Sequence, residues 1–205
     1  MATKNKRDYK KMKKIFSVIS ALFVIVIPLF ASNIDNSSNF QAVEKQLTKD
    51  TNISGKFIQV RQISGLSSNL KSSGTFKLSN DGSLLWQQQK PIKTTMQMSK
   101  DKLTQTIMDN PPTILTREDQ PVVFTFTSVF MSVFKGDTKT ISEYFDANFK
   151  GNTQKWSISL KPKASPLNKA IKEITLKGGK YITNIEVADT QDNIIKIKLF
   201  DITTQ

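Results

Sequence analysis

The hydrophobic pattern begins abruptly: the basic stretch from Lys4 to Lys14 runs directly into the apolar segment IFSVISALFVIVIPLFA. A charged segment followed by an apolar one is the pattern of an export signal. The apolar part, Ile15 to Ala31, is near the upper end for a signal core and slightly short of the roughly 20 residues a relaxed membrane span requires. Pro28 breaks the helix just ahead of Ala31, a small residue suited to the last position before a cut. Residues 1–31 are therefore expected to be a signal peptide cleaved after Ala31, with residues 32–205 as the mature domain. The competing expectation is an uncleaved amino-terminal anchor, and a start at Met12 would leave a signal of ordinary length. Either way the remainder faces an extracytoplasmic space.

Beyond the signal the pattern changes twice. Ser38 followed by Gln41 has the spacing of a capping box, and Phe40, Val43 and Leu47 recur at helical intervals to about Lys49, opposite Glu44 and Lys45. This predicts an amphipathic helix packed on a sheet. From Ile53 the period shortens to two. Strands are predicted over 54–63, 70–78, 83–89, 93–99 and 103–108, with Asn80-Asp81-Gly82 as a hairpin turn. Phe76 and Leu78 then share a face with Leu84 and Trp86, and Pro91 stops the third strand. The run VVFTFTSVFMSVFKGDT is the densest apolar stretch of the mature chain. It predicts a helix from about Phe126, stopped at Gly136, that is buried or covers something apolar. Its first residues, rich in β-branched and aromatic side chains, equally fit a strand. After Gly151 strands are predicted over 155–161, 171–176, 181–189 and 194–202, with Gly178-Gly179 and Gln191-Asp192-Asn193 as turns. The fold class is α+β: one strongly curved antiparallel sheet, a helix before it and one or two helices inserted midway.

Composition narrows the chemistry. The chain holds neither histidine nor cysteine, so a disulfide, a thiol nucleophile, an imidazole base and a Cys/His zinc site are all excluded. Asp101, Asp109, Glu118, Asp119, Asp137, Glu143 and Asp146 lie in polar or turn-like surroundings, where a solvated surface is the default. No enzymatic activity, metal or cofactor is expected. About +6 of the formal net charge of +13 falls before Ile15, which leaves about +7 on residues 32–205. The lysines of that remainder are scattered, without the stripe and interleaved aromatics of a nucleic-acid binder, so no nucleic-acid partner is expected. A weak, salt-sensitive attraction to anionic lipid headgroups is compatible with the charge.

The succession GKFIQ from Gly55, SSGTFKLSNDGSLLWQQQKP from Ser72, KWSISLKPKASPLNKAIKEITL from Lys155 and the closing IEVADTQDNIIKIKLFDI resembles the LolA family of periplasmic lipoprotein carriers, in particular its LolA-like branch. The resemblance spans nearly all of the mature chain. It is carried most by Phe57 and Gln59, Gly74 and Trp86 with Pro91 after them, and Leu160 to Lys163 after Trp156. Asn80 stands at about the place of a lid-holding arginine in the archetypal carrier, which directs the comparison to the LolA-like branch and to another lipid or lipid-linked cargo. The resemblance implies an incomplete (half) antiparallel β-barrel with a helical lid over an apolar cavity. It also implies a periplasmic location, acyl chains of a lipoprotein or lipid as ligand, and an inner-membrane donor complex and outer-membrane acceptor as partners. A monomer is expected.

Hiding each methylene of a lipid from water is worth roughly 0.8 kcal/mol, and a curved sheet rich in Phe, Trp, Met and Leu under an apolar lid achieves this without a catalytic group. The residues expected to line the cavity are Phe57, Phe76, Leu84, Trp86, Met96, Met98, Phe130, Met131 and Phe134. Met96 and Met98 supply an adaptable wall, although methionine more often fills gaps in a core. The alternative function is a non-transporting periplasmic interaction module, whose apolar surface binds another envelope component.

Overall fold

A computed structural model describes residues 38–50, 52–99, 101–118, 124, 132 and 138–204 of the chain. The amphipathic segment forms helix α1, Ser38–Leu47, with Phe40 and Val43 buried and Leu47 packed against the core. Eleven strands follow: β1 (Ile53–Gln62), β2 (Leu70–Leu78), β3 (Leu84–Lys90), β4 (Thr94–Met98), β5 (Lys102–Ile107), β6 (Thr113–Thr116), β7 (Phe145–Asn152), β8 (Lys155–Pro162), β9 (Ile171–Gly178), β10 (Ile182–Asp189) and β11 (Ile194–Thr204). Helix α2, Thr138–Tyr144, precedes β7, and a single 3-10 turn, Leu167–Lys169, precedes β9.

All eleven strands belong to one sheet in the order β6-β5-β4-β3-β2-β1-β11-β10-β9-β8-β7. Every pairing is antiparallel, and the sheet stays open, with β6 and β7 at its edges. Two meanders, β1–β6 and β7–β11, are joined where β1 pairs with β11. The chain between Thr116 and Phe145 must therefore cross from one edge of the sheet to the other. The apolar run from Val122 lies in this crossing. Its two described residues, Phe124 and Ser132, are helical and buried, so helical structure is present two residues ahead of the predicted start at Phe126.

Period-two alternation puts the apolar side chains of ten strands, all but β6, on one face. On β8, for example, Trp156, Ile158 and Leu160 are buried while Ser157 and Ser159 are half-buried. With their counterparts on β9, β10 and β11 they join Phe57, Phe76 and Trp86 in a single core. Helix α1 covers the β7 side of that core. Phe40 meets Phe149 edge to face, with ring centroids 5.3 Å apart. Gln46 Nε2 donates to the carbonyl oxygens of Thr153 and Gly179, at 3.0 and 2.7 Å. Trp156 Nε1 donates to the same Gly179 oxygen at 2.8 Å, so one turn carbonyl secures both the helix and the core indole.

Two strands and a helix carry too weak a pattern to be read from sequence. β6 is four residues long with no alternation in burial. In β7, FDANFKGN, Phe145, Ala147 and Phe149 alternate with polar residues, but Asp, Asn, Lys and Gly are weak strand formers, and pairing along the full length of β8 holds it in the sheet. Helix α2, TKTISEY, is too short for a helical period to stand out. The Asn80-Asp81-Gly82 turn forms as expected: Gly82 has a positive φ of 79°, and Asp81 Oδ1 accepts from Ser83 N and Oγ at 2.8 Å.

Candidate functional site

The expected lining residues on the strands come together. Phe76 is paired with Trp86 and Leu78 with Leu84 across β2 and β3. Leu84 is paired with Met98 and Trp86 with Met96 across β3 and β4. Phe57 on β1 completes a patch in which all six residues, Phe57, Phe76, Leu84, Trp86, Met96 and Met98, are 1–6% exposed. Phe130, Met131 and Phe134 lie outside the described residues.

The patch is organised around one ring pair. Phe57 and Trp86 stack with centroids 3.8 Å apart and planes 24° apart, although β2 lies between their strands. Two strand spacings amount to about 10 Å, so the rings meet only if β2 presents no side chain between them. Gly74, directly opposite Phe57, supplies that gap. It also sits at a register shift against β3, and a Cβ there would stand 1.9 Å from the carbonyl oxygen of Gln87. Phe76 flanks the same indole at 6.3 Å.

Toward the β1–β2 loop the same face turns polar. Gln59, two residues on from Phe57, is opposite Ser72, and Gln105 on β5 is opposite Met96. Gln59 and Gln105 are 8% and 4% exposed. Among the described residues, Gln59 Oε1, Ser72 Oγ and Gln105 Nε2 are buried without a hydrogen-bond partner. Leaving such a group unsatisfied costs about 1–3 kcal/mol, so the patch retains unused hydrogen-bonding capacity beside its aromatic floor. Gln59 and Gln105 are inward-facing residues outside the apolar set expected from sequence. The available signal was alternation, since each lies two positions after an inward apolar residue, Phe57 and Leu103. Next along β1, burial holds the Arg61 guanidinium below its ordinary pKa, with the nearby Asp189 carboxylate opposing that shift; an arginine stays charged through such a shift. Asp189 is itself engaged in the β10–β11 turn, accepting from Gln191 N, Asn193 N and Asn193 Nδ2 at 2.7–2.8 Å.

At the border of the patch Arg117 links the end of β6 to the crossing segment. Its Nε donates to Asp101 Oδ1 at 3.2 Å, and its guanidinium lies 5.5 Å from the centre of the fully buried Phe124 ring. On the other face of the sheet, a groove of about 320 Å³ crosses β1, β11, β10 and β9, lined by Ile58, Val60, Lys196, Lys198 and Glu186 among others. It shares none of the expected lining residues. What the inner patch offers chemically is apolar contact, ring stacking and a few neutral hydrogen bonds. Among the described residues there is no group of three or more metal-ligating acids, and no helix is long and apolar enough to cross a membrane.

A family model described as outer membrane lipoprotein carrier protein LolA-like matches residues 32–199. Comparison with curated proteins gives no match. Among solved structures, the chain is similar to a DUF1329 family protein from Desulfovibrio piger, with 8% identity, 82% of this chain and 92% of that one covered, and a TM-score of 0.43. It is similar also to a LolA superfamily protein from Nitrosomonas europaea, with 8% identity, coverage of 82% and 94%, and a TM-score of 0.43. A third likeness is to a chain of the MucA/MucB complex from Pseudomonas aeruginosa, with 10% identity, coverage of 80% and 55%, and a TM-score of 0.36.

Proposed function

We propose that this chain, which belongs to the family of outer membrane lipoprotein carrier LolA-like proteins, is exported to the periplasm as a signal peptide (residues 1–31) and a carrier domain (residues 32–205), and ferries the acyl chains of a lipid or lipoprotein between membranes. The observation that carries the proposal is the crossing between the two sheet edges. The densest apolar run of the mature chain lies in it, and Phe124 within it is fully buried. In this reading the crossing supplies the helical lid over the patch of Phe57, Phe76, Leu84, Trp86, Met96 and Met98, and Phe130, Met131 and Phe134, outside the described residues, are the lid residues proposed to meet the ligand.

Uptake exchanges one set of apolar contacts for another. The six side chains pack on each other in the closed protein, and an acyl chain entering between them replaces contact with contact at little net cost in buried area. The two methionines adapt to the incoming chain, while the polar end of the ligand meets the unsatisfied Gln59, Ser72 and Gln105. A ligand shifts the balance between closed and open forms only by binding them unequally, so a partner that favours the open form promotes release. No proton transfer or covalent step is required.

The test is uptake of a fluorescent fatty-acyl probe by the protein recovered from the periplasm. Wild type is expected to bind. Trp86→Glu and Phe130→Glu, verified as folded by circular dichroism, are expected to lose uptake because each sets a charge against chains that cannot solvate it. A folded variant that binds normally removes its residue from the lining, and a wild type that refuses the probe removes the proposal. The groove on the outer face, with Ile58 exposed beside Lys196 and Lys198, supports a second reading, an envelope interaction module. That reading predicts partner capture that Ile58→Glu abolishes and Trp86→Glu leaves intact.

A further inference from the structure

The two ends of the β1–β6 meander are built from different chemistry. At one end the turns are Ser79–Ser83 and the segment between Ser99 and Asp101, the polar, turn-forming composition that tight connections favour. At the other end lie the β1–β2 loop, the β3–β4 turn and the β5–β6 turn, and each presents large apolar side chains to solvent. Leu66 and Leu70, then Ile92, then Ile107 and Met108 are 41–57% exposed. They are five of the seven exposed large apolar residues found among the described residues. These tips are held in place by backbone closure. Leu66 N donates to Ile63 O at 3.0 Å, and Met108 N to Lys93 O at 2.8 Å. Gln88 Nε2 caps Ile92 O at 2.8 Å, and Asn110 Nδ2 caps Ile107 O at 2.9 Å. The Met108–Lys93 bond sets the second and third tips side by side.

Exposed lysines stand among the same tips, Lys71, Lys90 and Lys93, against one exposed acid, Asp109. Between the first and last strands of this row lie five strand spacings, about 24 Å, so the apolar side chains form a row of separate points with cations between them. A protein partner is ordinarily gripped by aromatic and arginine anchors in a packed patch; the exposed residues of this row include neither, Arg61 opposite Leu70 being half-buried. Apolar points that enter an acyl boundary while flanking lysines meet headgroups are the requirements of a lipid interface. We propose that this end of the meander docks on an anionic lipid leaflet, with Leu66, Leu70, Ile92, Ile107 and Met108 inserted at the headgroup level and Lys71, Lys90 and Lys93 on lipid phosphates. The docking concerns a surface separate from the inner patch, and it stands or falls independently of acyl uptake.

Cosedimentation with vesicles tests it, using the protein recovered from the periplasm. Wild type is expected to partition onto phosphatidylglycerol vesicles at least tenfold better than onto phosphatidylcholine, and to be released as salt rises and the screening length falls below about 5 Å. Ile92→Glu with Met108→Glu, and separately Lys90→Glu with Lys93→Glu, each reduce partitioning at least tenfold. Asn80→Glu, at the polar end, changes it less than twofold. All these positions are exposed, so circular dichroism should match wild type. Tip variants that sediment like wild type overturn the proposal. A wild type that stays in solution with both vesicle types overturns it as well and assigns the tips to a protein partner; acyl-probe uptake in the same preparation reports separately on the carrier reading.

Discussion

Single residues decide how the inner patch holds together, and three of them give clear expectations. Gly74 leaves room for the Phe57–Trp86 stack and lies against the Gln87 carbonyl. Gly74→Ala should cost about 1–3 kcal/mol, as overpacking of a tight site does, and Trp86→Ala about 3–5 kcal/mol, through lost burial and the cavity left behind. Denaturant titration measures both. Gln105 behaves in the opposite sense. Because its Nε2 is buried unpaired, Gln105→Leu should leave stability unchanged or raise it while weakening affinity for a ligand with a polar head; a clear loss of stability would show that the amide is satisfied within the fold. Asp50 supplies a pH test. Its carboxyl is held below the ordinary carboxylate range by the Tyr181 hydroxyl, 2.8 Å away, and then by Lys180. A depressed carboxylate stabilises the fold above its unfolded pKa and loses that contribution as pH falls through its folded pKa, so this pin is intact at neutral pH and opens in acid. Tyr181→Phe should move the Asp50 titration upward by NMR, and an unmoved titration would deny the hydrogen bond its role.

At the scale of elements, strands with strict alternation were legible to within one or two residues. Leu70–Leu78 falls where the pattern puts it, and Ile194–Thr204 runs only two residues past its predicted end. Alternation works there because one face is buried, so each apolar position reports its direction. It fails where burial is one-sided by chance or absent. β6 is an exposed edge, and β7 is held by its hairpin partner β8 and by α1, which is distant in sequence. The strand alternation that places Phe57, Phe76, Leu84, Trp86, Met96 and Met98 on one buried face also turns Gln59, Ser72 and Gln105 inward, but a reading that selects apolar residues does not name inward polar ones. The position of α1 depends on its carboxy-terminal contacts. Gln46→Ala removes two bonds to turn carbonyls and should cost about 1–2 kcal/mol. Hydrogen exchange should show the loss concentrated in 38–47 and the β9–β10 turn, and uniform destabilisation would place the pin elsewhere.

For the whole molecule, one open sheet of eleven strands gathers one face into a single apolar core, and the connection between its two edges carries the most apolar run of the mature chain. The charge that looked diffuse along the sequence acquires a direction, since three lysines and five exposed apolar residues share one end of the first meander. That organisation depends on which turns fall at which end, and no residue pattern states it before the strand order is known. The most direct measurement is native mass spectrometry, with lipid extraction, of the protein purified from a periplasmic fraction. Carriage predicts acyl lipid or lipoprotein copurified at close to one per chain, lost in folded Trp86→Glu. A ligand-free protein that also refuses fluorescent fatty-acyl probes would contradict it.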